Sequence, residues 1–298
     1  STGNRIFLAT SGVNSMKKFV KMAVAAAIVG FSFAASANLV IDDFSVNQGA
    51  DFVTDVENPV FLLKDSTGNS MGSFNSATGA TSSILGGERD MYIGKLGGDA
   101  GAGVRTYVDG GLLSYGTDPG AFGRSYIKWD GVNGVSTVTA GTESAFLGTL
   151  NATGLGGLDL DASGSAFLIN VKEADLGFDF AFTVYTSATR WTTLILAAAN
   201  HDNWLPDSSP IDFGDFEGAV DMLGHSLGAG KGYYFNGADG SADMSNVGAI
   251  LATVNFTGSN AKIDLQIGDF GTVPEPESLA LVGLGLLGLA FSRRRKAA

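Results

Sequence analysis

Between Asn38 and Thr272 apolar and polar residues alternate with a period of two over many short stretches, the spacing at which side chains leave opposite faces of a strand. The pattern is clearest from Leu176 to Thr186, where Leu176, Phe178, Phe180, Phe182 and Val184 share one face, and Trp191–Leu196 reads as its hairpin partner. Strands are likewise predicted at Leu39–Val46, Pro59–Leu63, Asp90–Leu96, Val104–Val108, Leu112–Tyr115, Arg124–Trp129 and Ala166–Val171. Asp109-Gly110-Gly111 and Asp130-Gly131 supply turn signals. Ser66–Ser83 is small and polar and reads as a loop, as does Asn200–Pro210. Ile211–Gly230 is ambiguous, because Ala219–Leu223 suits either a short helix or a strand. Val247–Phe256 and Ala261–Ile267 read as a closing hairpin turning at Gly258-Ser259-Asn260. Short strands, Gly-rich turns, no long helix and no internal repeat predict an all-β fold, an antiparallel β-sandwich or jelly roll.

Two segments break the pattern. From Met16, Lys17, Lys18 and Lys21 precede an apolar run, Met22–Ala34, and then Ala35-Ser36-Ala37, with Ala35 and Ala37 as the small residues of a cleavage site. This is the layout of a signal peptide for the Sec translocon, and it places the mature start at Asn38. Residues 1–15 lie upstream of that Met and read as an over-extended frame. The second segment runs from Val273 to Ala298. Pro274, Glu275 and Pro276 form a stiff extended stub, Leu279–Phe291 is apolar, and Arg293, Arg294, Arg295 and Lys296 form a basic cluster. As a helix of about 15 residues the apolar part would span ~22 Å, short of the ~30 Å of a bilayer core, while the basic cluster would hold its end in the cytoplasm. The chain thus divides into 1–15, a signal helix at 16–37, an ectodomain at 38–272 and a tail with a short transmembrane helix at 273–298.

The order Pro-Glu-Pro, apolar run, basic cluster resembles the PEP-CTERM sorting signal of Gram-negative bacteria. The resemblance implies recognition by an exosortase near Pro274–Pro276, brief residence in the inner membrane, and delivery to the cell envelope or outside in species that make exopolysaccharide. The stretches Ile41-Asp42-Asp43-Phe44, Gly86-Gly87-Glu88-Arg89-Asp90 and Gly248-Ala249-Ile250 are similar to the β-rich ectodomains of no assigned activity that often precede such tails.

Charge then narrows the partners. Without the two terminal segments the body keeps ten Lys and Arg against twenty-eight Asp and Glu, a formal charge of −18. Such a surface speaks against nucleic acid and anionic lipid as partners. With no Cys in the chain, an exported domain has no disulfides and cysteine catalysis is excluded. Two His residues in no ligand-spaced motif speak against zinc.

The remaining chemistries are weaker. Gly224-His225-Ser226-Leu227-Gly228 matches G-x-S-x-G, but no helix start follows and His201, the other His, precedes Ser226. A convergent Ser226–His201 triad or a carboxylate pair would be needed for a hydrolase. Gly283–Gly288 matches G-x-G-x-x-G only by chance, since no βαβ unit can follow it. If the first and last strands pair, Asp42, Asp43, Asp264 and Asp269 would come together as a calcium site. Trp204, in a polar loop, is the candidate glycan contact. The expected function is a non-enzymatic, exported structural or adhesive component of the envelope or biofilm matrix, associated with exopolysaccharide. A carbohydrate-binding module stabilised by calcium is the alternative, and a secreted hydrolase the second.

Overall fold

The computed structural model describes residues 38–48, 71–99, 102–134, 139–174, 178–198, 210–217 and 233–273. All fall within one compact unit, Ser36–Glu275. Fourteen strands are described: β1 Val40–Asp42, β2 Met71–Thr78, β3 Glu88–Gly98, β4 Val104–Asp109, β5 Leu112–Thr117, β6 Ala121–Trp129, β7 Thr139–Gly141, β8 Ala166–Ala174, β9 Phe178–Tyr185, β10 Trp191–Ala198, β11 Pro210–Asp212, β12 Tyr233–Asn236, β13 Ala249–Val254 and β14 Asp264–Val273. Helix among the described residues is confined to short pieces, the longest being Glu143–Leu147. None is long and apolar enough to cross a membrane, and the two terminal helices expected from the sequence lie outside the described residues.

The strands form two antiparallel sheets. The smaller has the order β11-β8-β14-β5-β4, with β1 also pairing with β14, and the larger runs β12-β10-β9-β13-β6-β3-β2-β7. Phe167 and Phe270 of the small sheet meet Phe182 and Trp129 of the large one at ring-centroid distances of 4.9 to 5.5 Å, so the sheets bury a common core as the layers of a sandwich do. The all-β expectation holds, but this strand order does not confirm a jelly roll.

Local sequence explains much of this. Phe180, Phe182 and Val184 are buried as the alternation requires, and β9 pairs with β10 from Phe178↔Ala198 to Tyr185↔Trp191. Gly110 and Gly111 both take positive φ, 58° and 82°, the turn that a two-residue hairpin needs, and β4 pairs with β5 around it.

Three expectations are corrected. Ser66–Ser83 is not one loop, because Met71–Thr78 is β2, held between β3 and β7. Its small residues suit a strand packed closely between neighbours; a Cβ at Gly72 would overlap the Tyr92 ring. The strand predicted at Leu39–Val46 is shorter: Asp42 Oδ1 accepts the Phe44 N–H at 2.9 Å and Phe44 turns to φ 53°, ending β1. The closing hairpin does not form. β13 sits between β6 and β9 in the large sheet, whereas β14 sits between β5 and β8 in the small one. Asn255, at φ 54°, redirects the chain after β13, and its amide donates to Gly123 O at 2.7 Å and Asn260 O at 2.9 Å. The segment after β13 is thus a crossover between sheets. Of the ambiguous Ile211–Gly230 stretch, Ile211 and Asp212 belong to β11, Gly214–Glu217 is helical, and the remainder lies outside the described residues.

Candidate functional site

Strand β3 carries charge to both faces of the large sheet. Arg89, Met91, Ile93 and Lys95 point between the sheets; Glu88, Asp90 and Tyr92 point outward. All of these side chains are buried.

On the inner face Arg89 is the centre of a closed knot. Its Nη1 donates to both Asp42 oxygens at 2.8 and 2.9 Å, Nε donates to Gln48 Oε1 at 2.7 Å, and Nη2 donates to Val46 O at 2.6 Å. Trp129 Nε1 donates to Asp42 Oδ2 at 2.8 Å. Burial pushes the Asp42 carboxyl above its ordinary value, against the pull of Arg89. One guanidinium nitrogen, Nη1, is shared between both carboxylate oxygens, a charge-assisted contact, while the other two nitrogens bond Gln48 and Val46.

The four carboxylates of the expected calcium site each have another partner within the domain. β1 does pair with β14, but Asp42 faces inward to Arg89. Asp264 pairs with Arg105 at 3.0 Å, and Asp269 accepts from Asn170 Nδ2 at 2.8 Å. Asp43 accepts the Ser45 N–H at 2.8 Å. Among the described residues no group of acidic or His side chains is arranged to hold a metal. Trp204, the candidate glycan contact, lies outside the described residues. So do His201, Ser226, Ala35, Ala37, Pro274, Glu275, Pro276, Arg293, Arg294, Arg295 and Lys296.

The outer face holds a second cluster that the sequence reading missed. Thr142 Oγ1 accepts the Ala145 N–H at 3.2 Å and caps the helix Glu143–Leu147. That helix lowers Phe146 onto the sheet, 5.4 Å from the Tyr92 ring and 6.3 Å from Tyr126. At its rim Tyr126 Oη donates to Glu143 Oε1 at 2.6 Å, and Arg124 Nη1 donates to Tyr126 Oη at 3.2 Å. Burial pushes the Tyr92 phenol up to about 12, and burial followed by the Glu143 carboxylate also raises Tyr126. Both stay protonated near neutrality.

Lys128 lies against Phe146 of that helix, and Glu88, Asp90 and Asp130 are, like it, buried. Asp90 and Lys128 face each other across β3 and β6. Lys128 Nζ donates to Thr149 Oγ1 at 2.9 Å, stands 3.4 Å from Asp130 Oδ2, and lies 5.0 Å from the Phe146 ring centroid. Glu88 Oε1 accepts the N–H groups of Asn133 and Gly134 at 2.7 and 2.6 Å, and Asp130 Oδ2 accepts that of Asn151 at 2.7 Å. Burial raises the Asp130 carboxyl, opposed first by the Asn151 hydrogen bond. Lys128 Nζ approaches Asp90 Oδ2 to 2.8 Å, yet neither Asp90 oxygen accepts a hydrogen bond. The distance is that of contact, but the alignment of a hydrogen bond is missing. The only signal in the sequence was the run of three charged residues, Glu88-Arg89-Asp90, opening an apolar strand in a chain poor in basic residues.

Comparison with known proteins bears on the tail. Residues 272–296 match the PEP-CTERM protein-sorting motif. The chain therefore carries the sorting signal that its Pro-Glu-Pro, apolar and basic segments led one to expect, and the signal implies export and processing by exosortase. Neither the curated proteins nor the solved structures compared with the chain give a match.

Proposed function

We propose that the protein is a non-enzymatic structural or adhesive component of the cell envelope or extracellular matrix, associated with exopolysaccharide and delivered through its PEP-CTERM tail. In this reading the tail resides briefly in the inner membrane before exosortase acts near Pro274-Glu275-Pro276. The observation that carries it is the match over residues 272–296. The charge distribution supports it. Arg89, Lys95, Arg105, Arg124, Lys128 and Arg190 all bind groups of the domain itself, which leaves a surface dominated by carboxylates, suited to solubility outside the cell. The test is mass spectrometry of the protein from its host with and without the exosortase. A C-terminus trimmed only when the enzyme is present is the expected result. An intact Arg293–Lys296 end in both would make the tail a plain anchor and overturn the sorting part of the proposal. Retention of the trimmed protein in a matrix fraction that polysaccharide-degrading enzymes release would support the matrix role; full recovery in free medium would remove it.

A further inference from the structure

We propose that Lys128 and Asp90 become joined by a spontaneous intramolecular amide between Nζ and Cγ, with Asp130 carrying the proton, so that β3 and β6 are covalently cross-linked. Four observations converge on this modification site. The two side chains face each other across neighbouring antiparallel strands, which fixes them side by side. Lys128 Nζ stands 2.8 Å from Asp90 Oδ2, which holds the amine against the carboxyl group whose Cγ it would attack, and holding two reactants together lowers the barrier to their reaction. The contact lacks the alignment of a hydrogen bond, and Asp90 accepts none from any described group, so no directional bond fixes its carboxyl group in place. A third carboxyl, Asp130, lies 3.4 Å from the same Nζ.

Burial supplies the driving force. Lys128 and Asp130 side chains are 1% exposed and Asp90 4%. In water an ammonium and a carboxylate are better solvated than an amide, and the amide does not form. Out of water both ions lose that solvation, whereas a neutral amide asks for only one donor and one acceptor. Here one cation stands between Asp90 and Asp130, so removing Lys128 and Asp90 as an ion pair leaves the local net charge unchanged while removing two buried charges. The site is closed on the other side by Gly134, where a Cβ would overlap Ser76 Oγ and Asp90 Oδ1. Phe146 covers the lysine end. Among the described residues the other two deeply buried cations have no such partner: Lys95 donates to the backbone carbonyls of Asp99 and Ala102, and Arg89 is held by a fully hydrogen-bonded carboxylate.

The step balances without any further reagent. Asp130 takes one proton from Lys128 Nζ and delivers it to an Asp90 oxygen, which leaves a neutral amine beside a neutral carboxyl. The amine lone pair attacks Asp90 Cγ and forms the C–N bond. A second Nζ proton passes to the same oxygen, the Cγ–O bond breaks, and water leaves. One ammonium and one carboxylate become one amide and one water, and Asp130 returns to its starting state.

The test is tryptic digestion and mass spectrometry of the full chain isolated from its exporting host. A cross-linked Lys128 resists trypsin, so the expected product joins the peptide Asp90–Lys95 to Ser125–Lys172, at the sum of their masses less one water. Recovery of free Asp90–Lys95 together with a peptide ending at Lys128 would overturn the proposal. Lys128→Arg keeps the positive charge and should abolish the joined peptide; its persistence would place the bond elsewhere. Asp130→Asn keeps an acceptor for the Asn151 N–H but cannot carry a proton. In timed cell-free synthesis it should slow cross-linking by about a hundredfold, a usual size for acid–base assistance, with unchanged circular dichroism. Cross-linking at the normal rate in that variant would remove Asp130 from the reaction.

Discussion

Arg89 and Asp90 are neighbours in β3, yet they serve two buried clusters on opposite faces of one sheet. The inner cluster is complete: every nitrogen of Arg89 has an acceptor and Asp42 is held by Arg89, Trp129 and the Phe44 amide. The outer one is incomplete, since Lys128 touches Asp90 without hydrogen-bonding to it. A saturated ion pair is chemically quiet, because each polar atom already has its best partner. An unsaturated one in the same dry setting retains a reason to react. The difference teaches that burial alone does not assign a role to a charged pair, and that its hydrogen-bond accounting does.

Substitutions can break this comparison. The largest effect is expected for Arg89→Ala, which leaves Asp42 buried and unpaired; a loss of about 3–5 kcal/mol follows for breaking a buried pair, measured as a fall in the urea midpoint. Replacing both partners separates the faces more sharply. Arg89→Met with Asp42→Leu should recover most of that loss, since apolar replacement of a whole buried pair is often neutral. Lys128→Met with Asp90→Leu should not. If a covalent link closes the chain between Asp90 and Lys128, its removal costs about 4 kcal/mol by chain-entropy reasoning. A neutral outcome there would make the two faces alike.

Smaller effects sharpen the picture. Tyr126→Phe removes the donor to Glu143 and should cost about 1–2 kcal/mol, read as a lower Tm. The smallest concerns pH. The Asp42 and Asp130 carboxyls are raised in the folded chain, so each binds protons more readily folded than unfolded. Their contribution is present in full below the unfolded value, about 4, and is lost as pH rises through the folded value. Stability should therefore increase as pH falls from neutrality toward that range. Asp43, lowered despite some burial by its bonds to Ser45, works in the opposite sense. A urea midpoint that falls on mild acidification would contradict this, and Asp130→Asn should flatten the rise.

The sheet-forming core was readable where one face of a strand is apolar and the other polar, as in β9 and β10. It was not readable in β2, whose Gly, Ser, Asn and Thr look like a loop because its place between two strands, not its own apolarity, makes it a strand. Nor could periodicity show that β13 and β14 belong to different sheets, since the cause is a backbone reversal at Asn255. The pairing of β1 with β14 was anticipated, but the use of Asp42 was not. A sequence gives the residue types at a strand end; it does not say which carboxylate turns toward an arginine forty-seven positions away. The tail was the most legible part of all, because a sorting signal is read as a linear order of residues.

One feature of the small sheet bears on how such a tethered domain would carry load. β14 ends at Val273, two residues into the matched sorting motif and immediately before Pro274. It lies inside its sheet, bonded along one side to β8 and on the other to β5 and β1, and Leu39 exchanges hydrogen bonds with Thr272. The two ends of the domain thus leave from the same place. A pull applied through the tail would run along β14 and shear it against both flanking sides at once, so that many hydrogen bonds must fail together. A strand at the sheet edge would instead peel away one bond at a time. A load borne through the tail would therefore be met first by an internal strand bonded on both sides.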